Sequence, residues 1–330
     1  MTIPANPFGR TGQSVTRIGF GAWGIGGTWG DVTEAEAIAA LHAALDAGMT
    51  FIDTADVYGD GRSERLIAQA LAERTGPRPF VATKAGRRAD PHVPAAYTLE
   101  NLTAWTDRSR ANLQMDTLDL VQLHCPPTAV LYMPQVFDAL ETLRHRGAIA
   151  NWGVSVEKVE EGLKAIEYDG CTAIQIIYNI FRQRPAGLFF REAARRNVAV
   201  IARVPLASGL LTGKMSADSR FAADDHRAFN RDGAAFDKGE TFSGVPFEIA
   251  LAAVEELRPL VPDGVSMAAL ALRWILMNPA VTVAIPGAKS AAQARANAAA
   301  GELPAQPEAT MTALETLYRT RIAPHVHHLW

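Results

Sequence analysis

The chain has 330 residues, 48% of them hydrophobic and 20% charged, and a formal net charge of -3. This is the balance of a soluble globular protein with a large core, and with its lysines and arginines scattered it has no broad basic field to support a nucleic-acid partner. No apolar run approaches the roughly 20 residues that span a bilayer, the start MTIPANPFGRTG lacks the regions of a secretory signal, and Cys125 and Cys171 belong to no CxxC or Cys/His array. A cytoplasmic location with no membrane partner, no disulfide framework and no metal is expected, with Cys125 acting as a small buried hydrophobe.

In chain order, FGRTGQSVT carries the Gly-rich turn of a short β-hairpin. Eight short, β-branched apolar runs follow: RIGFGAW (17 to 23), TFIDTA (50 to 55), FVATKAG (80 to 86), LDLVQLH (118 to 124), IANWGVS (149 to 155), AIQIIYN (173 to 179), VAVIARVPL (198 to 206) and VTVAIPG (281 to 287). Helical patterns separate them, such as TEAEAIAALHAALDAG (33 to 48), where Ala37, Ile38, Leu41 and Leu45 share one face and Gly48 ends the helix. Strands buried on both sides and alternating with helices predict a parallel sheet, and eight such units close into a (β/α)8 TIM barrel. The hairpin would plug its N-terminal mouth, and EATMTALETLYRTRIA would add a C-terminal helix. No linker or change of composition divides residues 1 to 330, so a single domain is expected. The long segment from 214 to 244, after the seventh strand, would lie over the C-terminal mouth as a functional or mobile loop.

Barrel chemistry is built at the C-terminal ends of the strands. Asp53 ends the second, Tyr58 follows in its loop, Lys84 ends the third and His124 ends the fourth. Singly, His124 reads as a hydrogen-bonded core histidine, Asp53 as a loop cap and Tyr58 as a turn aromatic, while a lysine at the end of a buried strand is costly without a partner. Together they have a use. An ammonium beside a phenol lowers its pKa, so Lys84 would make Tyr58 a usable general acid for a carbonyl, or in reverse a base for an alcohol. Asp53 would keep Lys84 charged, and His124 would orient the carbonyl oxygen. No side chain donates hydride, so a nicotinamide cofactor must supply it. No GxGxxG follows a strand, and the late loops VPLASGLLTGK (204 to 214) and IPGAKSAAQARAN (285 to 297) are the places to hold its phosphates. In PGAKS, a helix N-terminus beside Lys289 and Ser290 suits a phosphate, or is an ordinary barrel turn with a solvated lysine.

On these motifs, DTADVYGDGRSE, VATKAG, DLVQLHCPP, GAIANWGVS, IQIIYN, PLASGLLTGK and IPGAK, the chain resembles the aldo-keto reductase family over almost its full length. The long seventh loop and RVPLASGLLTGK resemble the bacterial branch related to potassium-channel β subunits and general stress reductases. The resemblance implies a catalytic tetrad of Asp53, Tyr58, Lys84 and His124. It implies nicotinamide contacts at Ala22, Trp23 and Asp53, with Ser155 and Gln175 on the carboxamide. Pro205, Leu206, Ser208 and Lys214 match the pyrophosphate loop, Gly287, Lys289, Ser290, Gln293 and Asn297 match the adenosine end, and Arg227 reaches over from the long loop. Val156 and Ala296 replace polar residues common in the family. Arg203 stands where many members stack an aromatic ring on the nicotinamide: either it stacks there, favouring NADPH over the cationic NADP+, or it turns to phosphate or to loop carboxylates such as Asp224 or Asp225.

Lys289 as a cation for a 2′-phosphate points to NADP(H). The expected activity is NADP-dependent interconversion of aldehyde or ketone carbonyls and alcohols, on a small carbonyl or sugar substrate. Two other readings use the same residues: a cofactor-bound, redox-sensing regulatory subunit, and a lyase with Lys84 as Schiff-base nucleophile. Trp23, Trp29, Tyr58, His124 and Trp152 suggest an aromatic substrate pocket. The tail APHVHHLW (323 to 330) reads as a solvated terminus or an oligomer contact.

Overall fold

The computed structural model describes residues 3 to 27 and 32 to 330. Strands β1 (Ala5–Pro7) and β2 (Ser14–Thr16) form the expected antiparallel hairpin, closed by the Phe8 N–H donating to the Gln13 carbonyl at 2.7 Å. β3 (Phe20–Gly21), β4 (Phe51–Asp53), β5 (Phe80–Ala85), β6 (Leu120–His124), β7 (Trp152–Ser155), β8 (Cys171–Ile177), β9 (Ala199–Arg203) and β10 (Val283–Ala284) then pair in chain order, all parallel. Bridges from Ile18 to Ala284 and from Gly21 to Gly287 join the last strand to the first, closing a TIM barrel. Each ladder falls within its apolar run or extends it by no more than two residues.

The helices lie outside. They are α1 (Glu34–Asp46), α2 (Arg62–Ala72), α3 (Leu99–Leu113), α4 (Pro134–His145), α5 (Val159–Ala165), α6 (Leu188–Arg195), α7 (His226–Phe229), α8 (Phe247–Leu257), α9 (Met267–Met277), α10 (Ala291–Ala300), α11 (Glu308–Leu317) and α12 (Ala323–Val326). α1 starts at a capping box in which Thr33 and Glu36 satisfy each other's backbone N–H. It ends before Gly48, which takes the left-handed φ of +87°. Its Ala37, Ala40, Leu41 and Ala44 are buried against the barrel, between α2 and α10.

The core has two compartments. One is the layer between strands and helices; the other fills the lower barrel with Phe8, Phe51, Leu120, Ile201 and Val283. Phe8, from the hairpin, sits 5.4 Å from the Phe51 ring and 4.9 Å from the Phe80 ring, so the hairpin is the plug. Burying one such side chain is worth about 1.5–3 kcal/mol. Strand side chains alternate faces, and the inward series climbs from apolar to polar: Phe51 then Asp53, Ala82 then Lys84, Leu120 then Gln122 then His124, Ala173 then Gln175, Ile201 then Arg203. Neighbouring strands set these at one height, with Lys84 beside Gln122 and His124 beside Ser155.

Two expectations fail. Trp152 is in no pocket: at the outward start of β7 it is buried against Phe137 on α4, its indole N–H donating to Glu141 Oε1 at 2.6 Å. The tail is not solvated throughout, because Val326 and Trp330 are buried and carry it back onto the barrel. Among the described residues no helix is long and apolar enough to cross a membrane.

Candidate active site

β4 and β5 bring the first three expected residues together. Lys84 Nζ donates to Asp53 Oδ1 at 2.6 Å, to the Thr54 carbonyl at 2.8 Å and to the Tyr58 hydroxyl at 3.3 Å. Tyr58 is held by its loop. The next residue, Gly59, has φ +60°, and a Cβ there would stand 2.0 Å from the Gly26 carbonyl oxygen, so only glycine lets the two turns touch. His124 meets the edge of the Tyr58 ring, centroids 5.9 Å apart. Gln122, absent from the expected set, donates to Asp53 Oδ2 at 3.2 Å. Gln175 donates to the same oxygen at 2.7 Å, so its amide is turned into the tetrad.

Electrostatics correct one expectation. Burial is the largest influence on Tyr58 and pushes the phenol's pKa up; Lys84 opposes it, while Asp53 and Glu240 add to it. The net direction is upward because the ammonium is partly spent on Asp53 and the phenol is out of water. Burial works against the Lys84 ammonium too, but Asp53 and then Tyr58 more than offset it and its pKa is raised. His124 is held well below the usual imidazole range by burial and by Arg87, Lys84 and Arg203, so it is neutral, and its Nδ1 finds no partner among the described residues.

Above these groups lies a cleft of about 430 Å³ whose walls include Trp23, Tyr58, Arg87, His124, His226 and Phe236. Trp23 lies nearly parallel to Tyr58 at 6.0 Å and 4.8 Å from His226; Trp29 falls outside the described residues. The outer wall comes from the long 214–244 segment, which is a built lid. Within it the His226 ring meets the Thr241 hydroxyl at 3.1 Å, and Asn230 Oδ1 accepts the N–H groups of Ala235 and Phe236. A second hollow, about 460 Å³, lies between this segment and α8 and touches no strand-end group.

Arg203 does not turn to Asp224 or Asp225. It donates to Glu157 Oε2 at 2.8 Å and to the Val156 carbonyl at 3.0 Å, and pairs with Glu240 at 3.5 Å. Arg87 pairs with the same two glutamates. Two guanidiniums and two carboxylates thus clasp the lid, and the charge on Arg203 is offset locally. Cys125 is half-buried in the cleft wall, its Sγ 3.6 Å from Arg203 Nη2 and 3.5 Å from Ser155 Oγ. It packs among polar groups, and burial pushes its thiol pKa up.

The cofactor candidates divide. Arg227 pairs with Asp225 at 2.6 Å, and its Nη1 stands 3.6 Å from where a Cβ on Gly209 would be. Lys289 lies across from Gly24, and its pKa is lowered by burial and then by Arg227, with Asp225 and Asp224 offsetting only part. Two half-buried cations that repel one another, Arg227 beside the Gly209 turn and Lys289 beside Gly24, fit a bound phosphate. That turn is strained: Val204, Ala207 and Ser208 hold left-handed φ of 52°, 47° and 55°. Pro205 is buried, Leu206 half-buried and Ala22 buried at the end of β3. Other candidates are committed within the protein. Ser208 Oγ joins the lid, donating to the Glu240 carbonyl and accepting from the Phe242 N–H; Ser290 caps α10; Gln293 holds the Lys289 N–H; Asn297 bonds the Gly287 carbonyl. Lys214 is exposed.

A closed parallel barrel with a lysine between a carboxylate and a phenol at its C-terminal mouth is the frame into which the comparisons fit. The chain belongs to the aldo/keto reductase family, whose model matches residues 17–319. It is 33% identical to the aldo-keto reductase YhdN of Bacillus subtilis over 87% of this chain and 85% of that protein. It is 30% identical to a probable voltage-gated potassium channel subunit β of Oryza sativa, over 85% of each. Among solved structures, the glycerol dehydrogenase of Gluconobacter oxydans superposes with a TM-score of 0.76 at 29% identity, covering 95% of this chain and 93% of that one. An aldo-keto reductase from Klebsiella pneumoniae in complex with NADPH shares the fold, with a TM-score of 0.68 at 24% identity over 95% and 96% of the two chains.

Proposed function

We propose that residues 1 to 330 form a single-domain, NADP(H)-dependent oxidoreductase that reduces aldehyde or ketone carbonyls to alcohols, or runs the reverse on an alcohol or sugar. The observation that carries this is Lys84 Nζ, within hydrogen-bond distance of both Asp53 and the Tyr58 hydroxyl at the floor of the cleft. Arg227 and Lys289 would take the phosphates, Arg203 and Ser155 would border the nicotinamide end, and the dinucleotide, when bound, supplies the hydride. Tyr58 gives its proton to the carbonyl oxygen, and Lys84 stabilises the phenolate left behind. Neutral His124 offers that oxygen a hydrogen bond without competing for the proton. Asp53, braced by Gln122 and Gln175, keeps Lys84 charged and in place.

The NADPH complex of the Klebsiella relative supports the cofactor class, and the crowded cations at Lys289 support a 2′-phosphate. The Schiff-base reading loses ground, because such a lysine needs a lowered pKa and Lys84 is shifted the other way. Replacing Tyr58→Phe and following NADPH oxidation with a panel of aldehydes tests the proposal. A loss of about 10²–10⁴-fold in kcat with NADPH binding intact is expected, and undiminished turnover would refute it. NADH binding more tightly than NADPH would reverse the cofactor assignment.

A further inference from the structure

The outer wall of the cleft, contributed by Phe236, Asp237 and Glu240, is gripped from both sides. On the inside, Glu240 pairs with Arg87 and Arg203, and its carbonyl accepts from Ser208 Oγ at 3.1 Å. On the outside the same stretch rests on Trp330, which does not line the cleft. The Trp330 indole N–H donates to Asp237 Oδ1 at 2.9 Å, and its ring covers the Arg182 guanidinium 3.9 Å from the centroid. The fit leaves no room. A Cβ at Gly244, where φ is +76°, would lie 2.5 Å from the indole, and one at Gly239 would lie 2.5 Å from Arg182 Nη2 and 2.9 Å from the indole.

Arg182 explains why this contact is strong. It is fully buried, its Nε and Nη1 have no hydrogen-bond partner among the described residues, and its Nη2 makes a long hydrogen bond, 3.4 Å, to the Gly239 carbonyl. A desolvated guanidinium with one long hydrogen bond needs further negative potential: Glu157 and Asp237 supply part of it through space, and the face of an indole, the best of the aromatic rings for this, supplies it in contact. Arg182 and Trp330 therefore form one unit, and Gly239 and Asp237 are bonded to opposite ends of it.

We propose that Trp330 is a positioning residue for substrate: it fixes the 236–244 wall from behind, and through it holds Phe236 across from Trp23 and Glu240 on Arg87. The inference rests on reading the cleft as the substrate site. The test compares wild type, Trp330→Ala and Trp330→Phe, with 4-nitrobenzaldehyde and NADPH as the kinetic probe and trypsin, which cuts after Arg231 and Lys238, as a mechanical one. In Trp330→Ala the KM for the aldehyde should rise about tenfold to thirtyfold with kcat held within about twofold, the size of a lost, largely desolvated cation–π contact. Tryptic cleavage within 231 to 238 should accelerate by a similar factor, as the wall opens locally. Trp330→Phe keeps a ring over Arg182 and should restore most of both. A residue that merely stabilised the fold would lower the active fraction, and so kcat, at unchanged KM, and that outcome overturns the proposal. If the wild-type protein fails to reduce the aldehyde, the reading of the tetrad falls. Equal tryptic rates in wild type and Trp330→Ala overturn the present inference with or without turnover.

Discussion

The two ends of the barrel are built on the same strands and the same inward face, yet they obey opposite rules. Two residues, about 6.6 Å of strand rise, separate Phe51 from Asp53, Ala82 from Lys84 and Ile201 from Arg203. Below, aromatic and aliphatic side chains fill space and the plug residue Phe8 completes them. Above, buried charges are matched partner by partner, and the matching is incomplete: His124 Nδ1 and Arg203 Nε are left without hydrogen bonds among the described residues. The lower end can be understood as packing, whereas the upper end gives up stability to hold groups where a reacting molecule would meet them.

That contrast can be broken experimentally. The largest effect is expected at Lys84→Met, which strands the Asp53 carboxylate at the barrel axis: about 3–5 kcal/mol of stability lost in urea unfolding, as for a broken buried ion pair, together with activity. Phe8→Ala at the other end should cost a similar amount of stability, about 3–5 kcal/mol, with turnover per folded molecule unchanged. Reduced turnover in the folded variant would show that the plug is coupled to the site. The pH profile is subtler. The proposed chemistry needs a protonated Tyr58 to reduce a carbonyl, and its pKa is raised, so reduction should stay level from neutral pH and fall only above the ordinary phenol value of about 10. Oxidation of an alcohol, which needs the phenolate, should rise over that same range. Since His124 is held neutral, no imidazole limb is expected; a limb just above neutrality would belong to Glu157 in the cleft wall, whose carboxyl burial pushes up to about 8. The smallest effect is at Arg203→Tyr. With Glu157 and Glu240 offsetting the guanidinium, the ratio of NADPH to NADP+ dissociation constants should move by less than about threefold, under 1 kcal/mol.

The lower end was the more legible in the sequence. Apolar runs of strand length report burial directly, so the eight strands, the closure and the hairpin plug could be read locally. The four candidate residues were legible because Asp53, Lys84 and His124 are odd residue types for strand ends and Tyr58 follows one of them in its loop. Gln122 carried a signal that went unused: it sits two residues before His124, on the same inward face. Glu157, Glu240, Arg87 and His226 carried none, because they come from separate loops and meet only in space. Trp330 was hidden for the same reason, its partners lying at 182 and 237 to 244. The upward direction of the Tyr58 shift leaves no trace in the sequence, because the neighbouring charge is visible there whereas the desolvation of the phenol depends on the fold.

The join between β10 and β3 has one further consequence. It is held by the Gly19 N–H to the Ala284 carbonyl, the Ala284 N–H to Arg17 and the Gly21 N–H to Pro286, whereas β8 and β9 pair over five residues from Ala173 to Ile177. The cylinder has a thin stitch, and it runs between Trp23 on one lip and Lys289 on the other. Amides along it should trade their hydrogens with solvent ahead of those between β8 and β9, and a molecule lying across both lips would act as a suture.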